Sequence, residues 1–264
     1  MCLIGLAVGV DPAYRLVVAA NRDEHHERPT APLHWWTESA ELAGGRDLQA
    51  GGTWLGATRS GRFAALTNLR SPQPRLAGSP SRGELVAAFL RSRETPEDWA
   101  RQVSPTATRY AGFNLVFGVF EPQVSLRFLS ASGDHSPLAQ GVWALSNATL
   151  GTDWPKTRWL REQMSRLLDG APATGSAGGE DGLIGRLFEL LADESVPPDA
   201  DLPDTGVGLD TERRLAPVFI RGDAYGTRSS MVLLVRADGS GRFCERRFGR
   251  DGRPNGDSEV AIGR

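Results

Sequence analysis

Met1-Cys2-Leu3-Ile4-Gly5-Leu6-Ala7-Val8-Gly9-Val10, then Asp11-Pro12-Ala13-Tyr14, then Arg15-Leu16-Val17-Val18-Ala19-Ala20-Asn21-Arg22-Asp23-Glu24 begins the chain. Two apolar runs of strand length flank an Asp-Pro turn, which reads as a β-hairpin. Antiparallel pairing brings the two free ends of a hairpin side by side. The Cys2 thiol then lies beside one amide, one guanidinium and two carboxylates, those of Asn21, Arg22, Asp23 and Glu24.

Position 2 has a chemistry of its own. Cysteine is small, and initiator methionine is usually removed before small residues. A chain beginning at Cys2 carries a thiol and a free α-amine on one residue. The amine titrates at about 7.7–8.0 and a free thiol at about 8.5. One residue then supplies both nucleophile and base, the cysteine counterpart of an N-terminal threonine. Without the cluster across the hairpin, the same cysteine reads as a small buried hydrophobe in a strand.

The composition of the whole chain sets bounds on what this hairpin belongs to. A chain of 264 residues suits one large domain or two small ones. Hydrophobic residues make up 40% and charged residues 23%, the balance of a globular chain with a substantial core. The 30 basic and 32 acidic residues leave a formal charge of −2, with no basic footprint for nucleic acid. Cys2 and Cys244 are the two cysteines, with no zinc-like spacing. A Cys2–Cys244 bridge stays open, although it would consume the nucleophile. The apolar start lacks a positive n-region and soon meets Asp11, so it is not a signal peptide. No apolar run approaches the ~18 residues of a membrane span. The expectation is a soluble, cytoplasmic protein.

Further along, His25 to Pro32 reads as a polar loop, and adjacent histidines on an extended chain point apart, which disfavours a metal pair. Gly44 to Leu69 reads as strands joined by tight turns. Gly51-Gly52-Thr53-Trp54-Leu55-Gly56 has the glycines of a close backbone approach. Ser71 to Arg82 reads as a loop. Ser81 and Glu84 suggest a helix start, and a second helix begins at Thr95-Pro96. Strands are expected over 113–120, 124–129 and 141–146, and His135 in a turn. Helices are expected over 153–168 and 181–192. Residues 170–180 read as mobile and 195–210 as a long polar loop. Strands return over 217–220, 227–235 and 242–248. Strand blocks separated by helices imply an α+β protein rather than alternating βαβ units.

Met1-Cys2, Asn21-Arg22-Asp23-Glu24, Gly51 to Gly56, Thr67-Asn68-Leu69-Arg70, Ser146-Asn147 and Tyr225-Gly226-Thr227-Arg228-Ser229-Ser230 occur in that order. This ordered set resembles the NRDE family, also called the Transport and Golgi organisation protein 2 family. The family's start is in turn similar to that of cysteine-type N-terminal nucleophile (Ntn) hydrolases such as penicillin V acylase and bile salt hydrolase. The resemblance implies an Ntn-hydrolase-like four-layer αββα sandwich, with one domain over residues 1–250 and a polar, poorly ordered tail over 251–264.

It also implies a reaction: hydrolysis of a non-peptide amide through a Cys2 thioester. Asn68 and Asn147 would stabilise the oxyanion, although each also reads as a turn residue at a strand end. Asp23 would fix the α-ammonium or the thiolate. Arg228 would order the site, or be a surface arginine beside a turn. Asn21, Arg22 and Glu24 are weaker orienting residues. The related acylases carry Arg-Asn-x-Asp, where this chain has Ala20-Asn21-Arg22-Asp23. The shifted arginine is expected to point away from Cys2, with Asp23 on the catalytic side. No cofactor or metal is required. A different class follows from the family's links to haem trafficking and lipid metabolism. On that reading the fold is a haem or acyl-lipid carrier without turnover, its partner a small molecule rather than nucleic acid. A third reading is a structural fold with a disused site.

Overall fold

In the computed structural model, which describes residues 2–72, 78–169 and 179–263, the opening hairpin is β1 (Cys2–Val8) and β2 (Tyr14–His25). Cys2 pairs with Arg22, Leu3 with Asn21 and Ile4 with Ala20. The strands β3 (Thr30–Trp36), β4 (Ser39–Asp47), β5 (Leu55–Thr58) and β6 (Arg62–Asn68) follow. Helices α1 (Arg82–Arg91) and α2 (Pro96–Val103) come next, then β7 (Phe113–Val119), β8 (Ser125–Ser130), β9 (His135–Leu138) and β10 (Gly141–Leu145). Helices α3 (Pro155–Asp169), α4 (Gly179–Leu191) and α5 (Leu209–Leu215) lead to β11 (Tyr225–Arg236), β12 (Gly241–Phe248) and β13 (Pro254–Ile262).

The strands form two antiparallel sheets, ordered β10-β1-β2-β11-β12-β13 and β3-β4-β5-β6-β7-β8-β9. Side chains alternate across a strand, and here both faces of each central strand are apolar. Ile4, Leu6, Leu16, Val18 and Ala20 meet Leu55, Phe63, Ala65 and Val116 between the sheets. Leu3, Ala7, Val17 and Ala19 face outward onto Leu160 and Met164 of α3 and Leu183 and Leu187 of α4. Ala64, Leu66, Leu115 and Phe117 of the second sheet face Leu85, Val86 and Phe89 of α1 and Trp99 of α2. The result is the expected α+β sandwich in four layers. Each fully buried large side chain contributes about 1.5–3 kcal/mol, so continuous apolar runs such as Leu16–Ala20 hold three layers together.

Several elements differ from their expectation. Residues 217–220 are buried but not a strand, because Ile220 N–H bonds the Thr227 hydroxyl at 2.9 Å and Phe219 N–H bonds Asp193 O at 2.8 Å. His135 starts β9 rather than sitting in a turn. The 195–210 loop runs into α5, a short helix whose buried residues are Glu212 and Leu215. The tail is corrected too: Pro254–Ile262 is the edge strand β13, paired along β12. It was illegible because its polar residues remain exposed and only Ile262 is buried. Of the segment 170–180, residues 170–178 lie outside the described residues, and Gly179 begins α4. Cys2 and Cys244 are both free: Cys2 belongs to the layer between the sheets and Cys244 to the helix-facing side.

Candidate active site

Where β1 begins, β2 ends and the second sheet turns towards α1, the two sheets part into a cleft of about 110 Å³. Cys2, Arg22, Asp23, Glu24 and Asn68 all line it. The register places Arg22 directly opposite Cys2, and directly opposed residues share a sheet face. This overturns the expectation that Arg22 points away. The arginine of Arg-Asn-x-Asp is displaced here from position 20 to position 22, two residues rather than one, and a shift of two preserves the face.

Cys2 is buried, and burial pushes its thiol up to about 11. Its carbonyl accepts a hydrogen bond from Ser146 Oγ at 3.1 Å. A thiol in that state is protonated at neutral pH and needs a local base to become a nucleophile. Glu24 sits beside it. Burial opposes its ionisation, but the His25 N–H at 2.9 Å and the Arg22 and Arg28 guanidiniums hold its carboxyl below the ordinary value. Arg28 is itself tied to Asp47, Nη2 to Oδ2, at 2.7 Å.

Asp23, expected on the catalytic side, comes instead from the opposite, helix-facing side of β2, one residue from Arg22, which pairs with Cys2, and it reaches the cleft at the end of the sheet. Its Oδ1 accepts from Thr227 Oγ1 at 2.8 Å. Burial raises its carboxyl, and the Lys156 ammonium works in the other direction. Lys156 is the residue that sequence reading missed. It is 6% exposed, and its Nζ donates to Leu215 O at 2.9 Å. Burial pushes it down to about 8, with the Asp23 carboxylate opposing. One signal could have found it: Lys156 is the single lysine among 29 arginines. Arginine stays charged at any working pH, whereas buried lysine titrates.

The titration of Lys156 has a signed consequence. Its pKa falls from about 10.4 in the unfolded chain to about 8 in the folded one. Between those values the unfolded chain binds more protons, so this residue's contribution to stability rises with pH. Lys156→Met removes that rise. Urea midpoints of the two proteins should show the variant losing up to ~3 kcal/mol relative to wild type between pH 7.5 and 10.5. A pH-independent difference would mean that Lys156 is not buried as a charge.

The two asparagines part company. Asn68 lines the cleft. Asn147 does not: its Nδ2 donates to Asn68 O at 2.8 Å and its Oδ1 accepts from Ser146 Oγ at 3.1 Å. Asn147 therefore holds the end of β6 in place, with one N–H of its amide taken by Asn68 O. Asn21 faces the helices, donating to Leu191 O at 2.8 Å and Val218 O at 2.9 Å and accepting from Ser230 Oγ at 2.6 Å. Strand alternation puts it on the face away from Cys2. Arg228 occupies the bulge of β11, where its Nη1 donates to His25 O at 2.7 Å and Arg28 O at 3.1 Å. It braces the β2–β3 turn at the edge of the site.

The glycine motif makes the close approach expected of it. A Cβ on Gly52 would stand 2.5 Å from the Gly83 carbonyl carbon, and both glycines line the cleft. Gly52→Ala forces two backbones apart, and a loss of ~2 kcal/mol is expected from denaturant midpoints. A neutral result would mean that the approach is not tight.

For haem, the cleft lining offers Cys2 as a ligand but no histidine or methionine, and only Trp54 and Leu66 as large apolar side chains. Among the described residues, no helix is long and apolar enough to cross a membrane.

Residues 1–250 match the family described as Transport and Golgi organisation 2. The chain is 35% identical to a Transport and Golgi organization protein 2 homolog of Bos taurus, over 93% of this chain and 92% of that one. It is 34% identical to a homolog of Homo sapiens, again over 93% and 92%. Two solved structures share its fold at low identity. One is a Caenorhabditis elegans N-acylethanolamine-hydrolyzing acid amidase ortholog, with TM-score 0.50 and 10% identity over 89% of this chain and 92% of that one. The other is a C2A mutant of a conjugated bile acid hydrolase from Clostridium perfringens, with TM-score 0.52 and 6% identity over 98% and 92%.

Proposed function

This chain belongs to the Transport and Golgi organisation 2 family, and from that premise we propose that it hydrolyses a non-peptide amide with Cys2 as an N-terminal nucleophile. The observation that carries the reading is the meeting of Cys2, Asp23, Arg22 and Asn68 in one cleft at the chain's start. The fold shared with an acid amidase and a bile acid hydrolase supports it.

Loss of Met1 frees the α-amine of Cys2, which takes the thiol proton. The thiolate attacks the amide carbon, a C–S bond forms, and the carbonyl oxygen becomes an oxyanion. The Asn68 side chain supplies an N–H to that oxygen, an interaction worth ~3–4 kcal/mol in comparable sites. The intermediate collapses, the C–N bond breaks, and the α-ammonium returns its proton to the leaving amine. Water then attacks the thioester, giving up a proton to the α-amine and releasing the thiol and the acid. Asp23, reaching the cleft from the other face of β2, balances the ammonium. A haem or acyl-lipid carrier on the same fold would need an apolar slot, which the cleft lining does not supply.

The test is intact-mass spectrometry before and after a limiting thiol electrophile, followed by a screen of amides for acid release. Loss of Met1 and one rapid adduct, mapped to Cys2, are expected. Retained Met1, or a Cys2 slower than Cys244, whose thiol burial pushes up to about 12, would overturn the reading.

A further inference from the structure

Most arginines that line the cleft have settled partners. Arg28 Nη2 lies 2.7 Å from Asp47 Oδ2, Arg46 Nη1 lies 2.5 Å from Glu38 Oε1, and Arg82 Nη1 donates to Gly112 O at 3.1 Å. Arg22 is different. It is 6% exposed, its Nη2 is 3.8 Å from Glu24 Oε2, and its Nη1 is 3.4 Å from Thr30 Oγ1. Both distances exceed the 2.7–2.9 Å typical of a charge-assisted bond. A buried guanidinium carries five N–H donors in a fixed fork that matches a carboxylate. Donors held this loosely at the wall of a cleft are open to a ligand that offers them shorter, charge-assisted bonds.

The rest of the cleft fits the same kind of visitor. Its large apolar lining is limited to Trp54 and Leu66, while Thr30, Thr53, Asn68 and Ser81 add polar groups. Its volume of about 110 Å³ is below the ~300–1,000 Å³ of pockets that hold drug-sized ligands. Directly opposed residues on paired strands have Cα atoms about 4.5–5.5 Å apart, so a group held by Arg22 lies within a few bonds of one attacked by Cys2.

We propose that the substrate is a small polar amide carrying a carboxylate close to the scissile carbonyl, and that Arg22 binds this carboxylate beside Cys2. This rests on the nucleophile reading above and narrows it, since an acyl chain or a steroid finds little apolar surface here.

A matched pair of electrophiles tests it without knowledge of the substrate. Iodoacetate carries the carboxylate and iodoacetamide is its neutral analogue. The rate of each at Cys2 is read by peptide mass spectrometry on the Cys2-initiated protein and normalised to its rate with glutathione. The expected result is a normalised preference for iodoacetate at Cys2. It should fall about tenfold in Arg22→Gln, the scale of one charge-assisted hydrogen bond, be partly kept in Arg22→Lys, and decline with added salt in the wild type. The iodoacetamide rate reports whether each variant keeps its cleft. Cys2 modified without preference for the anion, or with a preference unchanged in Arg22→Gln, overturns the inference and leaves the nucleophile standing. Should Arg22→Gln not fold, absence of the wild-type preference alone overturns it. A Cys2 modified by neither reagent overturns the nucleophile reading, and this inference with it.

Discussion

Cys2→Ala is expected to remove amide turnover, by roughly 10⁴-fold or more, and to remove rapid thiol labelling with it. The substitution deletes one sulfur atom from a residue 5% exposed between the sheets, so the cost in stability should stay near ~1 kcal/mol. Folding and activity are therefore separable in this variant. The same loss is expected when the α-amine is blocked while Cys2 stays intact, because a thiol pushed up to about 11 then loses the amine that takes its proton. Measurement of acid release by Cys2→Ala and by a protein that keeps Met1 distinguishes the two contributions. Turnover that survives in Cys2→Ala would show that the cleft works through another group, or that the activity lies elsewhere.

The largest loss of stability is expected at a place that touches no substrate. Arg70 and Glu212 form an ion pair whose side chains are 4% and 3% exposed. Glu212 Oε1 also accepts from Thr205 N at 3.0 Å, and the Arg70 guanidinium lies 4.6 Å from the centre of the Trp154 ring. Removing one member leaves the other buried and uncompensated, which costs about 3–5 kcal/mol. Glu212→Ala should lose that much by chemical denaturation. Arg70→Met combined with Glu212→Leu should recover a large part, since apolar replacement of both charges leaves none stranded. If the single variant falls by less than 1 kcal/mol, the pair is solvated in solution. The effect should extend to Cys2 chemistry, because Arg70 N–H donates to Asn147 O at 2.7 Å, and Asn147 in turn holds Asn68.

How far these features could be read in advance depended on whether the signal was local. The opening hairpin was legible because two apolar runs of strand length and the turn between them specify pairing over a short stretch. The two-sided burial of β2 over Leu16-Val17-Val18-Ala19-Ala20, a run without alternation, emerged with the layers on either side of it. Asn68 at the end of β6 was legible because the strand itself was. Lys156 was not: its place beside Asp23 is made by α3 lying against β1 and β10, across 133 residues of chain. The commitment of Asn147 to Asn68 was equally hidden, since it is a contact between two strand ends in different sheets.

By itself, the sequence determined the α+β class and the location of the chemistry at Cys2 with the Asn21–Glu24 cluster across from it, and its ordered motifs carried the family resemblance from which the four layers followed. Periodicity and turn chemistry act over a few residues, but the faces of Arg22 and Asp23 were settled only by the observed pairing of Cys2 with Arg22. Only the tertiary structure decided which polar groups are available and which are consumed. Asn21 is spent on the carbonyls of Leu191 and Val218, Asn147 on Asn68, and Arg228 on the β2–β3 turn, whereas Arg22 and Asn68 face the cleft. The reason is that a buried polar group must find a partner, and the partner is set by which segments fold against it rather than by its neighbours in sequence.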